Sequence, residues 1–120
     1  MSDMVVIEGV VVHGAKLGRR MGFPTANIEI GDAKVENGVY LSSVCIDGEE
    51  LKAMSNVGVR PSVDGKSRLL EAHIFDYNGD LYGRSLTVRL LRKIRDEKRF
   101  DSVDDLQRQL KSDYELIRSL

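Results

Sequence analysis

Tryptophan is absent from this 120-residue chain, and aromatic residues of all kinds make up only 6% of it. The chain also lacks an excess of charge of either sign, since 18 lysines and arginines against 19 aspartates and glutamates leave a formal net charge of -1. Proteins that bind single-stranded nucleic acid generally stack bases on exposed rings over a basic groove, and anionic membranes attract a positive excess. The composition therefore argues against nucleic acid or a membrane as a partner.

Cysteine is nearly absent as well, since Cys45 is the only one. It lies in an apolar run and has no partner for an internal disulfide, so we expect a buried packing thiol and a reducing compartment. No stretch approaches the roughly 20 apolar residues of a membrane span, and the N-terminus lacks a basic region followed by an apolar segment. A cytoplasmic protein is expected.

The chain shows no linker, internal repeat or low-complexity tract. With 42% hydrophobic and 31% charged residues, a length of 120 residues suffices for one packed core and is too short for two independent ones. We therefore expect residues 1–120 to form a single domain, and we expect that domain to be monomeric.

Short segments rich in β-branched or alternating residues, separated by glycine and Asx-Gly turns, predict a mainly antiparallel sheet. Asp47-Gly48 favours a tight hairpin, and Gly9 is expected to mark a bulge or bend. The polar segment 60–67 is interpreted as a connection that could serve as a flap over a site. The expected strands cover 5–12, 26–30, 39–46, 50–57, 69–75 and 86–94.

One amphipathic helix is predicted near the end of the chain. A capping Asp101-Ser102 and acidic residues in the first turn mark its start. Its apolar stripe recurs at helical spacing to about Ile117 and is expected to pack on the sheet. The stripe consists of Val103, Leu106, Leu110, Tyr114 and Ile117. Strands followed by one helix indicate a β-barrel with a helical appendage.

The segment from His13 to Asn27 holds too much glycine and charge for a strand or a core helix. Glycines allow backbone N–H groups to approach phosphate oxygens closely, and neighbouring bases add charge-assisted donors. The Walker spacing and the dinucleotide-binding glycine triplet are both missing. We interpret the segment as a phosphate loop of another kind, with an ordinary basic surface loop as the alternative. Its glycines and bases include Gly14, Lys16, Gly18, Arg19 and Gly22.

Two strand patterns each place polar side chains on one face. Thr25 and Asn27 are two residues apart, so they share a face and can converge on one ligand, or they merely satisfy backbone groups where the strand begins. Glu71 and His73 share a face with Phe75. Glu71 is then either an ordinary solvent-facing acid or a general base at the mouth of a pocket.

The run Gly18-Arg19-x-x-Gly22-Phe23-Pro24-Thr25-Ala26-Asn27 resembles the signature of the riboflavin kinase (flavokinase) family, which bacteria commonly fuse behind an FMN adenylyltransferase. Further matches follow in the family's order and cover nearly the whole chain from Gly9 to Asp113. They are Asn37-Gly38-Val39-Tyr40, Ser55-Asn56-Val57-Gly58-Val59-Arg60-Pro61-Ser62, Glu71-Ala72-His73-Ile74-Phe75-Asp76, Leu81-Tyr82-Gly83 and Ile94-Arg95-x-Glu97-Lys98-x-Phe100.

This resemblance implies a six-stranded antiparallel Greek-key β-barrel with a C-terminal α-helix. It implies transfer of the ATP γ-phosphate to the terminal ribityl hydroxyl of riboflavin, giving FMN and ADP, with Mg²⁺ as the metal. The nucleotidyltransferase half of bifunctional relatives has no counterpart in these 120 residues. FMN, not FAD, is therefore the expected product.

Carried over residue by residue, the resemblance assigns Glu71 as the catalytic base and Thr25 and Asn27 as magnesium ligands. Arg95 matches a flavin-contacting arginine, and Phe23 and Asn56 are weaker matches for the flavin pocket. The nucleotide-binding positions are Gly14, Lys16, Gly18, Arg19, Gly22, Thr25 and Asn27. Two departures lie in loops that shape flavin access: Ser62 stands where threonine is usual, and Asp96 where eukaryotic members often have proline.

Two other functions are compatible with such a barrel. A non-catalytic flavin-binding or regulatory module is the first, and the joint presence of Thr25, Asn27 and Glu71 argues against it, because a pure binder has little use for metal ligands and a base. A nucleic-acid-binding barrel is the second. The scarcity of aromatic residues and the slightly negative charge disfavour it.

Overall fold

In the part of the chain that the structure describes, alternation of inward apolar and outward residues along six strands builds a barrel wall, and a C-terminal helix packs outside it. The computed structural model describes residues 4–12, 25–62, 65–77 and 79–120. The strands are β1 (Val5–Val12), β2 (Thr25–Glu29), β3 (Gly38–Ile46), β4 (Glu49–Ser62), β5 (Gly65–Ile74) and β6 (Ser85–Arg95), and the helix is α1 (Val103–Arg118).

The strands close into a barrel in the spatial order β1-β2-β5-β4-β3-β6, and every adjacent pair is antiparallel. β3, β4 and β5 follow one another as hairpins, and β6 returns to lie beside β3, which is the Greek-key arrangement. The predicted fold class is confirmed.

The barrel interior is filled by every second residue of each strand, as the period of two requires. Along β5 the inward side chains are Leu70, Ala72 and Ile74, of which the first two are fully buried. A buried hydrogen bond of 2.6 Å joins the Ser42 and Ser55 hydroxyls. The outward positions of the same strands are thereby left for the helix and for the candidate site.

The two connections of β4, to β3 and to β5, differ in how well the sequence predicts them. Asp47 and Gly48 both have positive φ, 53° and 82°, as a tight primed hairpin turn requires. The segment expected as an irregular connection is instead largely strand, because β4 and β5 stay paired out to Ser62 opposite Gly65. Continuing the backbone ladder satisfies those amides and carbonyls, and this outweighs the polar composition.

Two expectations for single residues are wrong. Gly9 pairs in regular register with Leu86 and is not a bulge. The register shifts lie between β3 and β6, at Val39/Tyr40 and Leu41/Ser42. Cys45 is only half-buried, because it alternates with the inward residues of β3 and so faces outward.

Helix α1 has the predicted cap and packs as expected. The Ser102 hydroxyl accepts a hydrogen bond of 3.1 Å from the Asp105 amide at its N-terminus. Leu110 and Ile117 pack in a second apolar cluster with the outward side chains Val39 and Met54 and with Phe75. No helix among the described residues is long and apolar enough to cross a membrane.

The absence of a side chain at Gly9 is a packing requirement that can be tested. A Cβ there would lie 2.4 Å from Cγ2 of Ile28, which is 1% exposed. Gly9→Ala is expected to lower the free energy of unfolding by about 1–3 kcal/mol through overpacking, measured by urea denaturation. Ile28→Leu removes the branch at Cβ and should reduce the cost of Gly9→Ala in the double variant. An unchanged urea midpoint for Gly9→Ala would contradict the packing argument.

Candidate functional site

A row of polar side chains crosses the outer wall of the barrel on three adjacent strands. Because Leu70 and Ala72 point inward, Glu71 of β5 points outward. Its direct cross-strand partners are Asn27 on β2 and Asn56 on β4. Directly opposed residues of antiparallel strands project from the same face with Cβ atoms about 5 Å apart. The wall thus presents one carboxylate between two amides.

A second row lies beside the first. His73 of β5 is opposite Thr25 on one side and Met54 on the other. Thr25 is two residues from Asn27 and shares its outward face, as the sequence predicts. The structure therefore brings together Thr25, Asn27 and Glu71, which are distant in the chain.

Burial distinguishes this row from an ordinary solvated surface. Asn27 is only 6% exposed, and Glu71, Asn56 and Thr25 are half-buried. Among the described residues, the buried Oδ1 atoms of Asn27 and Asn56 have no hydrogen-bond partner. A buried amide oxygen without a partner costs stability unless something binds it. The Asn27 oxygen and the Thr25 hydroxyl are hard neutral donors of the kind that Mg²⁺ accepts, so these residues fit that ion.

The segment expected to hold phosphate lies outside the described residues, including Gly14, Lys16, Gly18, Arg19, Gly22 and Phe23. Its flanks are described. Val12, the last residue of β1, pairs with Asn27, and Thr25 is the first residue of β2. The chain therefore leaves and rejoins the barrel wall beside the polar row.

His73 is a buried neutral base within the site. It is 5% exposed, and burial lowers the pKa of His73 from 6.5 to about 4, because the charged imidazolium would lose its hydration. The imidazole is therefore uncharged at neutral pH. His73 is thus a buried, uncharged neighbour of Glu71, two residues further along β5.

Arg95 lies at the same level of the barrel as Glu71, three strands away. Asn56 pairs with Val39 of β3, and Val39 pairs with Arg95 of β6. At about 4.8 Å per strand, Glu71 and Arg95 are separated by about 14 Å along the wall.

The surroundings of Arg95 include two residues that sequence reasoning missed. Asp113 of α1 accepts from its guanidinium, with an Arg95 Nη2 to Asp113 Oδ2 distance of 2.7 Å, and Gln109 of α1 in turn donates to Asp113 Oδ1. A signal was present in the sequence: Asp113 is a charged residue three positions after Leu110 and four before Ile117, within the apolar stripe. A helix that buries such a position must pair its charge.

These features define a class of structure, a closed antiparallel barrel with a half-buried polar site on its outer wall. A family model described as Flavokinase, riboflavin kinase, matches residues 1–120. The chain belongs to the riboflavin kinase family, and the resemblance read from its motifs is confirmed.

Individual relatives agree with this assignment. The chain is 46% identical over 117 residues to the bifunctional riboflavin kinase/FMN adenylyltransferase of Pseudomonas fluorescens, covering 95% of this chain and 37% of that protein. It is 38% identical over 115 residues to the RNA-binding riboflavin kinase RibR of Bacillus subtilis, covering 95% of this chain and 50% of that protein. The chain thus spans half or less of the length of these relatives.

Two solved structures are similar to the barrel. A protein described as a macrolide-efflux protein from Streptococcus pneumoniae has a TM-score of 0.84 at 42% identity, over 96% of this chain and 38% of that one. A riboflavin kinase from Trypanosoma brucei has a TM-score of 0.65 at 24% identity, over 99% of this chain and 80% of that one. The latter likeness supports the fold.

The lowered pKa of His73 predicts a specific dependence of stability on pH. Between pH 6.5 and about 4 the unfolded histidine binds a proton that the folded one does not, so stability falls as pH drops through this window and is unaffected above it. The loss attributable to His73 is about 3 kcal/mol. Urea denaturation across this range should show a shallower decline in His73→Gln. Superimposable pH profiles for the two proteins would rule out this contribution.

Proposed function

We propose that this chain transfers the γ-phosphate of ATP to the terminal ribityl hydroxyl of riboflavin, forming FMN and ADP. The observation that carries the proposal is the row Asn27, Glu71 and Asn56, a half-buried carboxylate flanked by amides on a rigid wall. Membership of the riboflavin kinase family supports it. Phosphoryl transfer relies chiefly on positioning and charge stabilisation, and a strand pairing supplies such positioning.

Glu71 is assigned as the base that orients the ribityl hydroxyl and accepts its proton. It lies at the centre of the row, so a hydroxyl bound to it is within reach of groups on both neighbouring strands. The packing of Leu70 and Ala72 into the core holds the backbone on either side of it. The carboxylate is therefore held in place without depending on a loop.

Asn27 and Thr25 are assigned to hold Mg²⁺ through Oδ1 and Oγ1. When bound, the ion would neutralise charge on the β- and γ-phosphates. Neutral protein ligands suffice because phosphates and water complete the shell. The side-chain oxygen of Asn27 that lacks a partner among the described residues supports this assignment.

The nucleotide is assigned to the segment between β1 and β2, with Gly14, Gly18 and Gly22 offering backbone donors and Lys16 and Arg19 offering charge. Support comes from the flanks, because Val12 and Thr25 are held beside the polar row. ATP bound by this segment would present its terminal phosphate near Glu71.

The flavin is assigned to the side of the barrel that carries Glu71 and Arg95, with Asn56 and Phe23 as further lining residues. The separation of about 14 Å along the wall suits a molecule whose reacting hydroxyl and ring system lie at opposite ends. A guanidinium suits either a ring face or a product phosphate.

Other expectations stay predictions. We propose residues 1–120 as one kinase domain, monomeric and located in the cytoplasm, where ATP is available. The expectation that it does not bind nucleic acid stays open to test, since one relative is named RNA-binding. The purely flavin-binding alternative has weaker support than the kinase, because the relatives matched over nearly the whole chain are named as kinases.

The proposed reaction predicts that the purified chain makes FMN from riboflavin and Mg-ATP. Glu71→Gln is expected to lower kcat by about 10²–10⁴-fold, because it removes the proton acceptor and keeps the shape of the side chain. Separation of the flavins by chromatography measures the product. Glu8→Gln, an exposed acid on the outer face of β1, is the matched control and should be unchanged. Binding of riboflavin without any FMN would favour the non-catalytic alternative.

The metal assignment predicts a selective effect of Thr25→Ala and Asn27→Ala. Each is expected to raise the Mg²⁺ concentration needed for half-maximal ADP binding by about tenfold or more, measured by calorimetry. Riboflavin affinity should change much less. Thr87→Ala, an outward threonine on β6 opposite Glu8, is the control. Equal losses of Mg-ADP and riboflavin affinity would contradict the assignment.

A further inference from the structure

The guanidinium of Arg95 is held by the helix in a single orientation. Its Nε lies 3.1 Å from both carboxylate oxygens of Asp113, and its Nη2 lies 2.7 Å from Oδ2. This side-on pairing uses one edge of the planar group. Nη1 donates to the Asp96 carbonyl at 3.0 Å. The plane and the rotation of the guanidinium are therefore both determined.

Asp113 is itself fixed. Its side chain is 4% exposed, against 20% for that of Arg95, and Gln109 donates to its Oδ1 from one helical turn earlier at 2.9 Å. Leu110 and Ile117, on the same helix face, are buried against the barrel wall. The position of the carboxylate thus follows from the docking of α1.

The end of β6 that carries Arg95 is also held in a defined position. A register shift between Val39 and Tyr40 separates the pairs Val39–Arg95 and Tyr40–Lys93. The neighbouring Gly38 has a φ of 153°, and a Cβ there would lie 2.6 Å from the Arg95 carbonyl oxygen. Only glycine permits this close approach of the two backbones. The shift and the glycine together set where the arginine leaves the wall.

We propose that Asp113, supported by Gln109, is a positioning residue for flavin recognition, which orients Arg95 toward the riboflavin that the proposed function assigns to this wall. The inference rests on that proposed function. The hydrogen bonds formed within the described part of the chain use three of the five guanidinium N–H groups. The other two N–H groups, one on Nη1 and one on Nη2, make no hydrogen bond within the described part of the chain, and the proposal assigns them to the ligand.

A purely structural ion pair is the alternative. Buried ion pairs contribute little net stability compared with apolar packing, and breaking one leaves an uncompensated charge. Apolar residues at positions 95 and 113 together would extend the packing of α1 on the barrel without burying any charge. Instead, the Asp113 carboxylate and the Gln109 amide that donates to it both serve to hold one arginine at the level of Glu71. This arrangement favours a role in orienting Arg95 over a role in stability.

The test is Asp113→Asn, which keeps the shape and removes the charge. In steady-state assays of the whole chain it is expected to raise the KM for riboflavin about tenfold, because misplaced binding groups lose affinity for the group they contact. The KM for ATP should stay within about twofold. Gln109→Ala should act in the same direction with a smaller effect. In an Arg95→Lys background, Asp113→Asn should have little further effect on the riboflavin KM.

The controls separate positioning from stability. Ile117→Val weakens the packing of α1 without touching Arg95 and should leave the riboflavin KM unchanged, although it lowers the urea midpoint. The Arg95 Nε–Hε NMR signal should exchange faster with water in Asp113→Asn than in the wild-type chain. An unchanged signal, an unchanged riboflavin KM or an equal rise in both KM values would overturn the positioning role. A wild-type chain that neither phosphorylates nor binds riboflavin would instead overturn the proposed function together with this inference.

Discussion

The register between β2 and β5 is the constraint on which the candidate site depends. Pairing Asn27 with Glu71 places Ala26 and Ile28 of β2 in the core together with Leu70 and Ala72 of β5. A slip of one residue would turn the core side chains outward and bury the carboxylate. Core packing therefore specifies the site, because the same pairing satisfies the apolar interior on one face and assembles the polar row on the other.

The outer face of the barrel is apolar where α1 covers β3 and β4 and polar at the candidate site on β2 and β5, and these two surfaces are adjacent. Over β3 and β4 the outward positions Val39 and Met54 are covered by α1. Over β2 and β5 the outward positions are polar and belong to the candidate site. Asn56 lies between Val39 and Glu71 in one row, so the apolar contact of the helix and the polar site share a strand ladder. The surface that α1 covers and the candidate site are therefore adjacent on the barrel wall.

Much of the fold follows from local patterns in the sequence. Alternation in β5 identifies Glu71 and His73 as outward, and the spacing of Leu106, Leu110 and Ile117 identifies the packed face of the helix. The extent of β4 and β5 was not predictable in the same way, because their continuation to Ser62 and Gly65 depends on partner strands and not on composition. The pairing of Arg95 with Asp113 was not predicted because it joins a strand to a helix. The strand period of two and the helix period of about 3.6 residues show which face a residue lies on, but not which residue of another element it contacts.

Closure of the barrel has a consequence for β1. Its sequence, VVIEGVVV, is rich in β-branched residues, and Val6 and Val10 are 47% and 52% exposed. A strand of this composition at a sheet edge would offer a row of unpaired amides and carbonyls to other chains. Here β6 pairs with β1 from Val5 to Val10, and β2 pairs with Val11 and Val12. Closure of the barrel, which aligns the candidate site, thus also occupies a backbone edge of a strand whose composition favours aggregation.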